Sequence, residues 1–159
     1  MNKSLKISLL ILTSIFLFVG CSQETPKEIV EDMNIYEELN IPTLEVTMDG
    51  TEISVEKGAY SWDTGKHSVS VDAASWEQIA EKMEGTKIAP QSELILDFSK
   101  QPNRVSIMNQ NYSGTNIPSY TFADNKLVVS EEEGTYVYEI IGGWDEGEIS
   151  FTIKVIVSK

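Results

Sequence analysis

Cysteine and histidine occur once each in this chain, as Cys21 and His67, and Lys and Arg together number 12 against 25 acidic residues. A single cysteine excludes an intramolecular disulfide framework. A single histidine leaves a zinc site to be built from several carboxylates, which is not the usual ligand set of that ion. The shortage of basic residues gives a formal charge of −13. Such a surface repels phosphate backbones and anionic headgroups, which argues against nucleic acid as a partner and against direct adsorption of the folded part to a membrane. No nucleophile-elbow glycine pattern surrounds Ser61, Ser68 or Ser70, the serines near His67 in the sequence, so a serine triad has no local support. Asp63, Asp72, Asp124, Asp145 and the run Glu131-Glu132-Glu133 offer oxygen ligands, but no loop sets them at the alternate positions that a calcium hand requires. They read as a solvated acidic face, with no metal and no cofactor expected.

Apolar runs are also scarce, with one exception at the start. Lys3 and Lys6 precede "ISLLILTSIFLFVG", which ends at Cys21 and gives way to polar "SQETPKE". A basic start, a short apolar stretch and a small residue before the cut form a signal peptide pattern. The stretch is short for a spanning helix and has no stop-transfer cluster behind it. Phe18-Val19-Gly20-Cys21 resembles the bacterial lipobox, with Phe18 where Leu is usual. The resemblance implies cleavage between Gly20 and Cys21, diacylglycerol on the Cys21 sulfur and an acyl group on the new amino terminus. Lipidation also accounts for a lone thiol in an exported protein, and at about 0.8 kcal/mol per buried methylene two or three chains hold a protein firmly. The expected mature chain keeps 10 basic and 25 acidic residues, a charge of −15.

Residues 21–42 read as a lipidated terminus and an acidic tether, and residues 43–159 as one domain with a real core. Asp49-Gly50 between two alternating runs is a hairpin signal. Ser75 and Gln78 form a capping box for a helix, "SWEQIAEKMEG", closing at Gly85, whose Trp76, Ile79 and Met83 share one face. That face predicts a helix lying on a sheet edge or end. "ELILDFS", "RVSIMNQ", "SYTF", "KLVVS", "TYVYEII" and "EISFTIKVIVS" follow as strands. In the last, Ile149, Phe151, Ile153, Val155 and Val157 alternate with polar residues, the mark of a long strand with one buried face. The pattern as a whole predicts a mainly β protein, an immunoglobulin-like antiparallel β-sandwich with one short helix.

Asp63-Thr64-Gly65 raises a sharper possibility. Together with Ile140-Ile141-Gly142, which begins 77 residues later, it resembles the two motifs of retroviral-type aspartic proteases, in which paired carboxylates share a proton. Lys66 follows where that family has a small residue, no glycine-rich flap lies between the motifs, and "GGWDEGEISFTIKV" reads as turn and strand where a helix belongs. The economical reading of Asp63 to His67 is a turn between strands. Trp62, Trp76 and Trp144 line a ligand groove or fill the core and rim, with packing the favoured reading.

Gly58-x-Tyr60-x-Trp62, Val69-x-Val71-Asp72, Pro102, Gly134-Thr135-Tyr136-Val137-Tyr138 and Trp144-x-x-Gly147 together resemble a group of small lipoproteins of Bacillus and related Firmicutes with no assigned activity. The relatives carry cysteine where this chain has Ser61 and Ser70. The resemblance implies export, a lipid anchor and a β-rich domain. The resulting expectation is a monomeric, non-catalytic binding or envelope-associated module. It is held to the cell membrane through Cys21 and faces the extracytoplasmic side. The alternatives are a hydrolase using Asp63 and a cation- or small-solute-binding protein.

Overall fold

The computed structural model describes residues 38–111, 116–117 and 125–159. Gly20, Cys21, the leader, the tether to residue 37, the "SYTF" run and Asp124 lie outside the described residues. Alternation of apolar and polar residues builds almost everything that is described. Strands β1 (Leu44–Met48) and β2 (Thr51–Ile53) form a hairpin in register Val46 to Ile53. Its turn residues Asp49 and Gly50 have φ of 48° and 79°, the left-handed pair that a tight two-residue hairpin requires.

After Ser54 the chain crosses to the second sheet as β3 (Val55–Asp63), which pairs with β4 (Ser68–Val71). Helix α1 (Trp76–Lys82) leads to β5 (Thr86–Ile88), and β6 (Glu93–Phe98) returns to the first sheet. Strands β7 (Arg104–Asn111), β8 (Asn116–Ile117), β9 (Lys126–Val128), β10 (Gly134–Trp144) and β11 (Gly147–Val157) complete the described chain.

The two open sheets run β2-β1-β6-β9 and β4-β3-β11-β10-β7-β8, with β5 added beside the end of β11. The β10–β11 hairpin, paired from Gly134–Val157 to Trp144–Gly147, is the axis of the larger sheet. One pairing departs from the antiparallel expectation: β5 runs parallel to β11, Val155 opposite Thr86. The chain between these two strands runs through β6 to β10, far longer than the crossover that a parallel pair needs. Between the sheets sits a single core. Val46, Leu94, Leu96 and Leu127 from one side meet Tyr136, Tyr138, Ile140, Phe151 and Ile153 from the other. Each large apolar side chain so buried contributes roughly 1.5–3 kcal/mol.

The helix is capped as its sequence predicts. Ser75 Oγ accepts the Gln78 amide at 3.4 Å, and the Ser75 amide donates to Gln78 Oε1 at 3.3 Å. Its location differs from the expected sheet edge or end, because it packs on the outer face of the larger sheet over β11, β10 and β3. The anchor is Lys154, whose ammonium donates to the carbonyls of Ala80 and Met83 at 2.9 and 3.0 Å. A polar position on the solvent side of β11 thereby serves as the C-terminal cap of the helix. The buried helix residue is Ala80, with Met83 buried just past the helix end, while Trp76 and Ile79 are half-buried.

Candidate functional site

The Asp63 region is a built turn. Asp63 Oδ1 accepts the Gly65 amide at 2.7 Å, and the Thr64 amide donates to the His67 carbonyl at 3.0 Å. Gly65 has φ of 78°, which only a residue without Cβ adopts cheaply. The Asp63 side chain is exposed and closes an Asx turn. Ile140-Ile141-Gly142 lies inside β10, opposite Phe151, Ser150 and Ile149. His67 Nε2 lies 3.2 Å from Glu38 Oε2, with both side chains accessible to solvent. That pair ties the incoming chain to the β3–β4 turn.

Trp62 and Trp144 are core residues, 2% and 7% exposed. Their rings meet edge to face at 5.4 Å, and Trp144 meets Phe98 likewise at 6.0 Å. Both indole N–H groups are engaged, Trp62 with the Leu39 carbonyl at 3.0 Å and Trp144 with the Lys100 carbonyl at 3.1 Å. Burying an indole requires such partners. Lys100 stacks 5.4 Å over the Trp62 ring and pairs with Glu146. The hydrogen bond from Lys100 holds the Glu146 carboxyl below its usual range. Gly147 completes this end by close approach, since a Cβ there would fall 1.9 Å from the Ser61 carbonyl oxygen.

Acidic groups are dispersed. Asp145 accepts from Asn103, Glu133 accepts the Lys159 amide, and Asp72 is exposed after β4. Among the described residues no three His, Cys, Asp or Glu side chains gather as metal ligands. Glu45 and Asp97 do face each other as register partners. Ser61 and Ser70 are also register partners. They line a shallow depression of about 240 Å³ together with Ser150, Glu148 and Ile141.

Two groups stand apart, and neither was singled out by sequence reasoning. Strand β4 pairs only with Tyr60 to Asp63. The Val55–Lys57 part of β3 therefore has β11 on one side and an open edge on the other. Residues Asp72 to Ser75 leave that edge and climb to α1. Ala73 and Ala74 in this climb are too small to fill the space beneath the helix. What remains is a groove of about 300 Å³ between α1 and β3, with Ala73, Ala74, Ile79 and Met83 as apolar lining and Glu56, Lys57 and Lys82 as polar lining.

Ion pairs among the described residues join Lys100, Arg104, Lys126 and His67 to carboxylates. Neither Lys57 nor Lys82 takes part in one. Burial lowers the Lys57 ammonium pKa from its ordinary value, and the head lies 5.5 Å from the Tyr60 ring. A partly desolvated cation beside an apolar wall attracts an anion more strongly than a solvated one does. The signal in the sequence was slight: two lysines in an acid-rich chain, flanking a pair of small residues. Among the described residues no helix is long and apolar enough to cross a membrane. No protein-family model, no curated protein and no solved structure matches this chain.

Proposed function

We propose that the chain is an exported lipoprotein, tethered to the cell membrane by lipid on Cys21. Its domain is a non-catalytic, immunoglobulin-like binding module facing the extracytoplasmic side. The single observation that carries the binding part is the groove under α1, where two ammonium groups with no ion-pair partner among the described residues flank an apolar lining. Ligand sites combine apolar walls with placed polar groups, and this groove sets four apolar lining residues beside three charged ones. The immunoglobulin-like reading is supported by two sheets around one core, with the final hairpin central to the larger sheet. A hydrolytic role for Asp63 draws no support from the site, since its carboxylate is engaged in an exposed turn. The tether is supported by the Phe18-Val19-Gly20-Cys21 pattern.

Fractionation tests the anchor. Cys21→Ala should move the protein from the membrane fraction to the soluble one, and retention in the membrane would overturn the lipoprotein reading. Methyl NMR tests the groove. In a screen of amino acids, short fatty acids, wall sugars and divalent metals, ligands should shift the Ile79 and Met83 methyl signals. A screen that leaves both methyls in place would overturn the groove as the binding site.

A further inference from the structure

We propose that the groove takes a small monocarboxylate with a compact, branched apolar tail, an inference that rests on the groove being the binding site. The groove's own chemistry selects this class. Its volume, about 300 Å³, lies at the small end of the roughly 300–1,000 Å³ found for ligand pockets. A long acyl chain, a glycan or a folded partner would not be enclosed. Ala73, Ala74, Ile79 and Met83 present aliphatic carbon and sulfur with no hydroxyl or amide side chain among them, so the buried end of the ligand is a hydrocarbon.

Lys57 and Lys82 supply two positive charges against the single negative charge of Glu56. The rest of the chain is strongly acidic, but exposed charges farther than about 8 Å are screened at physiological ionic strength. Asp72 and Glu81 adjoin the lining along the chain, but the charged groups that line the groove itself are Glu56, Lys57 and Lys82, and their balance favours one carboxylate. Two lysines are compact point charges on flexible stems, suited to a carboxylate whose position is fixed by its tail.

Two sources share this chemistry, a branched short-chain fatty acid and an α-amino acid with a branched side chain. Glu56 separates them, because it has a partner only if the ligand carries an α-ammonium.

The test uses the full chain in nanodiscs of zwitterionic lipid, with 13C at the methyl groups of Ile and Met. Titration with 4-methylpentanoate and with leucine, which carries a very similar tail, should shift the Ile79 and Met83 signals with Kd on the order of 1 mM or tighter. 4-Methylpentanol, which lacks the charge, should bind at least tenfold more weakly. Lys57→Gln with Lys82→Gln, both at exposed positions, should weaken either acid at least tenfold in a variant whose thermal unfolding shows it folded. Glu56→Gln should weaken leucine alone if the amino acid is the better ligand, and should leave or improve 4-methylpentanoate if the fatty acid is.

Equal binding of the alcohol, or undiminished binding by the double lysine variant, overturns the proposal. It is also overturned if both acids fail at 20-fold above about 1 mM while another compound moves the same methyls, and the groove then remains the binding site. A shift of those methyls when phosphatidylglycerol replaces the zwitterionic lipid, with no response to either acid, assigns the groove to lipid headgroups and overturns it as well. Silence of both methyls to every compound removes the groove reading along with it.

Discussion

Two regions of this molecule each set lysine beside apolar side chains, and they behave oppositely. The end built from Trp62, Trp144, Asp63 and Lys100 holds the residues that a functional motif search selects, and nearly every polar group there has a partner inside the protein. The groove beneath α1 holds residues that attract no notice in the sequence, and among the described residues its two ammonium groups have no carboxylate partner. Chemistry available to a ligand is what the fold leaves unengaged. By that measure the aromatic end is structural, and the groove is where the proposed site lies.

The largest way to break the comparison is to remove a ring from the aromatic end. Trp144→Ala deletes a buried indole with contacts to Trp62 and Phe98, and urea unfolding should show a loss of about 3–5 kcal/mol. A loss below about 1 kcal/mol would mean that the end is a rim and not a core. Next in size is Gly147→Ala, whose added methyl collides with the Ser61 carbonyl. The backbone must move, and the expected cost is about 1–3 kcal/mol, read in the same assay. Trp62 fluorescence in a Trp76→Phe, Trp144→Phe background should change alongside it.

Asp63→Ala sharpens the contrast at smaller cost. Loss of the Oδ1 contact to the Gly65 amide should lower stability by about 0.5–1.5 kcal/mol. Ligand-induced shifts of the Ile79 and Met83 methyls should be unchanged. If those shifts vanish in a variant that remains folded, the two regions are not separate.

The smallest effect is expected at Lys57, and its sign is opposite. Because burial depresses its folded pKa below the unfolded value, the unfolded state binds the proton more tightly, and charging Lys57 costs stability at neutral pH. The cost is present below the folded pKa and disappears as pH rises through the unfolded value of 10.5. Lys57→Met should therefore be slightly more stable than the native chain at pH 7, with the gap closing above pH 10. Thermal unfolding across that range reads the difference. A variant that is less stable at pH 7 would show that stacking on Tyr60 outweighs desolvation.

Much of this was legible from local patterns. Period-two alternation placed β6, β7, β10 and β11, because a side chain's face in a strand depends only on parity. Asp49-Gly50 and the Ser75–Gln78 capping box were legible because each is a contact between near neighbours in the chain. Short β5 and β8 carry too few residues to show a period. The parallel pairing of β5 was invisible, since its partner residues on β11 lie far along the chain, Lys87 opposite Ile156. The His67–Glu38 pair joins residues far apart in sequence, and no local rule reports it.

The sequence by itself determined the β-rich character, the Ser75 helix cap, the Asp49-Gly50 turn, the acidic balance and the lipobox-like cysteine, all properties of composition or of short spacing. Only the tertiary structure decided that Trp62 and Trp144 are enclosed, that Asp63 closes a turn, and that Lys57 and Lys82 line one groove. Those facts depend on which distant segments meet, and a lysine's partner is chosen by that meeting and not by its neighbours in the chain.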